Sequence, residues 1–188
     1  MGRPKAFLPW SGGTFLSSAI RALNAYADMV IVVAGHNADQ IRPIVDAQAG
    51  FLVVNENPER GQFSSLQVGL QEVLNRGRDA AIATLIDRPP ARRETIALLQ
   101  QEFLARVGSD SWAVVPEFDG HHGHPFVVGR EMITRFLDAP ASSNAREVEH
   151  ANQQKIAYVA VADPFVTMNI DTPEDYQRLI SLETPITR

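Results

Sequence analysis

Between Thr14 and Ala27 the apolar residues Phe15, Leu16, Ala19, Ile20, Leu23 and Tyr26 recur at three- and four-residue spacing, which predicts an amphipathic helix. Gly12 and Gly13 lie just before it. The run from Met29 to Ala34 is apolar on both parities and β-branched, the pattern of a strand buried on both faces of a parallel sheet, and Gly35 ends it. A helix over Ala38 to Ala47, a short strand Phe51 to Val54 and a helix Ser64 to Leu74 follow, separated by Gly, Pro or Asn. Ala80 to Ile86 reads as another buried strand and Glu94 to Ala105 as the helix after it. This alternation predicts an α/β fold with parallel pairing and right-handed crossovers.

The last third changes character. Trp112 to Pro116 and Pro125 to Val128 read as strands joined by the polar turn Glu117 to His124, a small hairpin insertion. Helices at Arg130 to Leu137 and Ala145 to Gln153 precede strands at Ile156 to Val161 and Phe165 to Asn169. The final helix starts after Asp171-Thr172-Pro173, with Thr172 suited to the N-cap and Pro173 to the first helical position. No internal repeat or linker interrupts the chain.

Composition narrows the function. A chain of 188 residues fits one domain, 1–188, able to bury a core without disulfides or a structural metal. No cysteine is present, which excludes disulfide frameworks, thiolate nucleophiles and cysteine-based metal sites. The apolar runs are only strand length and no signal-like apolar region opens the sequence, so a membrane span is not expected and a cytoplasmic location is the default. The net charge of −5 argues against broad nucleic-acid binding but leaves room for a small anionic ligand in a local pocket.

The candidate chemistry sits at predicted strand ends. Asp87 ends a buried strand and is followed by Arg88-Pro89-Pro90, which cannot continue the sheet. Ligands of open parallel sheets bind beyond the carboxyl ends of strands, so this carboxylate can hold a hard cation such as Mg²⁺; it reads equally as the cap of a turn. Asn169 and Asp171 supply a second oxygen-rich end just before a helix N-terminus, while Glu174 and Asp175 fit helix capping. Lys5, with Arg3, places positive charge upstream of the first helix, where it can offset charge in phosphoryl transfer or simply be solvated surface. His121, His122 and His124 look like a metal cluster, yet neighbouring turn positions diverge, and a polar loop shaped by Gly123-His124-Pro125 is the favoured reading. Ser64 and Ser65 open a helix after Gly61, as anion or hydroxyl contacts or as ordinary N-caps.

Read in order, MGRPKAFLPWSGGTFL, NPERGQFSSLQVGL, LIDRPP, GHPFV and NIDTPEDYQRL resemble the MobA-like nucleotidyltransferases, particularly the molybdenum-cofactor cytidylyltransferase branch, over nearly the whole chain. The resemblance implies a three-layer Rossmann-like fold with a mostly parallel central sheet. It also implies attack of an acceptor phosphate, such as that of molybdopterin, on the α-phosphate of a nucleoside triphosphate, with CTP favoured over GTP and Mg²⁺ as cofactor. By position, Lys5 resembles the lysine that contacts the triphosphate and Asp87 the Mg²⁺-binding aspartate, with Asn169 or Asp171 as the second metal ligand. Arg3, Ser64, Ser65 and Arg88 would lie on the nucleotide side, and Gly123, His124 and Pro125 on the acceptor side.

The sequence departs from the family pattern in two places. The central strand and glycine-rich LAAG-type loop that precede the MGxPK element in the family are missing here, which should leave two sheet neighbours with unpaired edges. An upstream start is the expectation; the alternative is a catalytically impaired, nucleotide-binding accessory protein. Arg88 stands where the family more often has an uncharged polar residue, which favours a more anionic ligand or weakens metal binding. A glycosyltransferase of related topology would show a paired-acid motif beside its metal strand, and Asp87-Arg88-Pro89 is not one.

Overall fold

In the computed structural model, which describes residues 4–106 and 109–183, the chain opens with a 3-10 turn at Lys5–Phe7 and a small hairpin. Its strands β1 (Pro9–Trp10) and β2 (Gly13–Thr14) pair antiparallel across Ser11 and Gly12, both at positive φ. That is the mirror-image turn that matches strand twist. Thr14 caps α1 (Phe15–Asn24): its side chain accepts from the Ser17 N–H, while the Ser17 hydroxyl oxygen accepts from the Thr14 N–H. Then come β3 (Ile31–Ala34), α2 (Ala38–Ala47), β4 (Phe51–Val54), α3 (Gln62–Asn75), β5 (Ala80–Ala83) and α4 (Arg93–Arg106). These are the helices and strands that the hydrophobic pattern predicts.

The second half contains β6 (Ala113–Phe118), β7 (His121–His122), β8 (Phe126–Gly129), α5 (Arg130–Asp138), α6 (Ala145–Ala151), β9 (Ile156–Ala160) and α7 (Pro173–Glu183). β6 and β7 form a tight hairpin around Asp119 and Gly120, again both at positive φ, so the expected polar turn is shorter than Glu117 to His124. One expected strand is absent. Phe165 to Asn169 is not extended; Pro164–Thr167 forms a 3-10 turn because the buried Asp163 carboxylate accepts from the Phe165 N–H and Pro164 fixes the first φ.

The large sheet runs β5-β8-β6, with β7 and β9 both on β6. β5, β6 and β9 point the same way, and β8 lies antiparallel between β5 and β6 as the inserted hairpin strand. Alternation along the strands builds the layers. Ala113, Val115, Phe126 and Val128 pack with Phe63 and Leu70 of α3 and Met132, Ile133 and Phe136 of α5, while Val114 and Val127 face Leu99 of α4. Helices thus cover both faces of a mixed sheet, a Rossmann-like α/β arrangement.

β3 and β4 pair in parallel as a sheet of their own. Among the described residues β3 and β5 each keep one unpaired edge, and α3 packs on both. No helix among the described residues is long and apolar enough to cross a membrane.

Candidate active site

β5 stops at Ala83, so Asp87 does not end the strand as the sequence suggests. The Arg88 N–H donates to the Leu85 carbonyl, closing a turn ahead of two prolines that have no N–H to offer a ladder. The Asp87 carbonyl in turn accepts from the Ile170 N–H at 2.9 Å, which joins this turn to the segment carrying Asp171. The two acidic ends that the sequence places 84 positions apart therefore meet.

Lys5 lies between them. Its ammonium donates to Asp171 Oδ1 at 2.6 Å and stands 3.9 Å from Asp87 Oδ2. The packing around it explains why. Leu8, Trp10 and Phe15 cluster with Phe165, Ile170 and Leu179, and the Tyr176 hydroxyl donates to the Pro9 carbonyl at 2.6 Å. The start of α7 is set by a reciprocal cap: Asp175 accepts from the Thr172 and Asp171 N–H groups, and the Thr172 hydroxyl accepts from the Asp175 N–H. These bonds hold Asp175 below the usual carboxylate range and confirm its part as a helix cap.

Arg88 and His124 complete the cluster. Burial lowers the Arg88 guanidinium's pKa while Asp87 and Asp171 pull it back up, and arginine remains a cation throughout. Burial and the neighbouring Arg88 push His124 down to about 4, against a hydrogen bond to the Ala83 backbone, so its ring is neutral at pH 7. Asp87 Oδ1, Arg88 Nε and His124 Nδ1 are shielded from solvent and have no hydrogen-bond partner within the protein. Orphaned buried polar atoms are rare in folded proteins, and three on adjoining residues mark a place built for something other than the core.

The Gly123-His124-Pro125 loop is pinned by backbone hydrogen bonds. Gly123 is buried and its N–H donates to the Pro116 carbonyl, the His124 N–H donates to the Val166 carbonyl, and the His124–Pro125 bond is cis. A Cβ on Gly123 would stand 2.2 Å from the Val166 carbonyl oxygen, so only glycine fits. His121 and His122 do not join this cluster: both are exposed, and His122 stacks on Tyr158 at 3.9 Å and faces Glu117. No three His, Asp or Glu side chains among the described residues are grouped to hold a metal.

Ser64 is buried at the start of α3; its hydroxyl donates to the Gly61 carbonyl and accepts from Asn55 Nδ2, and the Ser65 hydroxyl accepts from the same amide at 3.0 Å. Asn55, only 3% exposed, is a residue that the sequence pattern does not single out. Its position directly after β4, followed by Glu56 and Asn57, is the signal that could have found it. Asn169 is exposed and makes no hydrogen bond to another described residue. Arg3 lies outside the described residues.

Two carboxylates, one carrying a buried free oxygen and both facing an ammonium, form an oxygen donor set that suits a hard cation completing its shell with phosphate and water. Among known proteins, the molybdenum cofactor cytidylyltransferase of Escherichia coli K12 is 23% identical over 178 residues, 94% of this chain and 86% of its own length. The manganese complex of Rv0371c from Mycobacterium tuberculosis H37Rv is 26% identical with a TM-score of 0.75, over 96% of this chain and 93% of that one. A Methanothermobacter nucleotidyl transferase superposes with a TM-score of 0.77 at 19% identity, over 95% and 84% of the two chains. Residues 1–174 match the MobA-like NTP transferase domain; the chain belongs to that family and is a nucleotidyltransferase.

Proposed function

We propose that this protein transfers CMP, or GMP, from the nucleoside triphosphate to a phosphorylated small-molecule acceptor such as molybdopterin, releasing pyrophosphate, with Mg²⁺ as the working cation. The observation that carries the reading is the Lys5 ammonium set between the Asp87 and Asp171 carboxylates at the turn beyond β5. The cytidylyltransferase named above favours CTP and the molybdenum-cofactor acceptor, and the manganese-bound relative favours a divalent cation.

In the reaction an acceptor phosphate oxygen attacks the α-phosphorus. A P–O bond forms there as the bond to the bridging oxygen breaks, and pyrophosphate leaves with the electron pair. Asp87, with Asp171 or Asn169, would hold the cation, whose charge draws the phosphate oxygens together and lowers the cost of charge building up on them. Lys5 turns from Asp171 toward the triphosphate, and Arg88 supplies a second fixed cation on the nucleotide side. Ser64 and Ser65, oriented by Asn55, border the nucleotide, and Gly123-His124-Pro125 borders the acceptor. No covalent intermediate is needed; positioning and charge do the work.

The test is pyrophosphate release from CTP and from GTP with molybdopterin, with and without Mg²⁺, by the native chain and by Asp87→Ala. Release that needs the metal and disappears in Asp87→Ala is expected. Turnover surviving in Asp87→Ala would refute the metal assignment, and CTP binding without pyrophosphate from any acceptor would point instead to an accessory nucleotide-binding protein.

A further inference from the structure

We infer that Lys5 and Arg88 form a charge lock on the two carboxylates, so that a divalent cation enters the site only together with the nucleoside triphosphate. This rests on the functional reading above and adds the order in which the site is filled.

The argument is one of fixed charge at short range. Asp87 and Asp171 contribute two negative charges. The Lys5 ammonium is hydrogen-bonded to Asp171 and within ion-pair distance of Asp87, and Arg88, the residue next to Asp87, keeps its Nε buried without a hydrogen-bond partner and lies within the field of both carboxylates. Two cations thus oppose two anions. A divalent ion arriving alone must displace an ammonium from its 2.6 Å hydrogen bond and then sit at short range from two like charges.

A triphosphate changes the balance. It brings several negative charges, gives Lys5 and Arg88 a stronger partner than the carboxylates, and so frees Asp87 and Asp171 for the metal it carries. The buried free oxygen of Asp87 fits this: Asp87 Oδ1 points where Lys5, nearer to Oδ2, does not satisfy it. Arg88 is the distinctive part of the lock. With an uncharged residue in its place, the site would keep a net negative charge and take up a metal ion unaided.

Calorimetry with Mn²⁺ as the probe tests this on the full chain. The wild type should bind Mn²⁺ alone only weakly and bind CTP much more tightly with Mn²⁺ than with EDTA. Arg88→Gln and Lys5→Gln should each bind Mn²⁺ alone roughly tenfold or more tightly than the wild type, while their affinity for CTP falls. Opposite changes for the two ligands are not what misfolding produces. Mn²⁺ binding to the wild type alone as tightly as to either variant would overturn the lock with the functional reading intact. No binding of CTP with Mn²⁺ to the wild type would overturn the functional reading itself.

Discussion

The Lys5 ammonium donates a 2.6 Å hydrogen bond to Asp171, joining residues 166 positions apart in sequence. The contact ties the first turn of the chain to the segment leading into its last helix, and it puts a cation against the two carboxylates most suited to a metal. Both partners are partly exposed, so the pair adds little to folding, no more than about 1 kcal/mol.

Lys5→Ala should therefore separate catalysis from stability. The rate of pyrophosphate release is expected to fall on the order of 100-fold or more, the usual cost of removing one charge-stabilising donor at a reacting phosphate. Thermal melting should barely change. A large drop in melting temperature with turnover preserved would make Lys5 a staple between termini and nothing more.

Much of the fold and part of the site are legible in the sequence alone. The αβ alternation through Glu94–Ala105 follows from apolar periodicity and glycine punctuation, which are local signals. Lys5, Asp87 and Asp171 stand out by position, but their meeting does not, because it depends on Trp10, Phe15, Phe165 and Leu179 packing across the whole chain length. Phe165 to Asn169 misleads because two buried apolar residues after a proline look the same in a strand and in a 3-10 turn; the deciding interaction is the Asp163 carboxylate. The two hairpin turns are readable in principle from Ser11-Gly12 and Asp119-Gly120, the second being a standard two-residue hairpin dipeptide. Asn55 is hidden because its role comes from hydroxyls nine and ten residues away on another element.

Gly123→Ala should be the most damaging small substitution between Gly120 and Pro125. Its Cβ meets backbone, the Val166 carbonyl, which cannot rotate aside as a side chain can. A loss of about 1–3 kcal/mol is expected, against roughly 1–2 kcal/mol for Gly120→Ala, where the space is open and only the positive φ resists. Chemical denaturation of the two variants side by side checks the order; equal losses would mean that the loop yields.

Asp163→Ala should destabilise more than any exposed acid. Asp163 is 1% exposed and accepts from the Thr95 hydroxyl at 2.9 Å, the Arg92 N–H at 2.8 Å and the Phe165 N–H at 3.1 Å. Removing it strands these donors beneath α4 and releases the turn whose Val166 carbonyl holds His124, at a cost of about 2–3 kcal/mol. Asp110→Ala, which breaks only an exposed pair with Lys155, should cost no more than about 1 kcal/mol. A melt showing the two alike would contradict the structural role given to Asp163.

His124 should make the protein acid-sensitive in a defined window. The ring is held neutral, with a folded-state pKa of about 4 against an ordinary 6.5, chiefly by burial and then by Arg88. Between those values the unfolded chain binds a proton that the folded chain refuses, so stability falls as pH drops from 6.5 to about 4 and is unaffected by this group outside that range. The full effect is roughly 3 kcal/mol. His124→Phe keeps a ring against Phe126, which the imidazole meets edge-on at 5.3 Å, but cannot titrate. Measured by denaturant unfolding at several pH values, the wild type should lose stability relative to His124→Phe through that window and run parallel to it above pH 7. Parallel curves throughout would show that His124 titrates normally, and the picture of an imidazole held neutral by burial and by the charge of Arg88 would have to be abandoned.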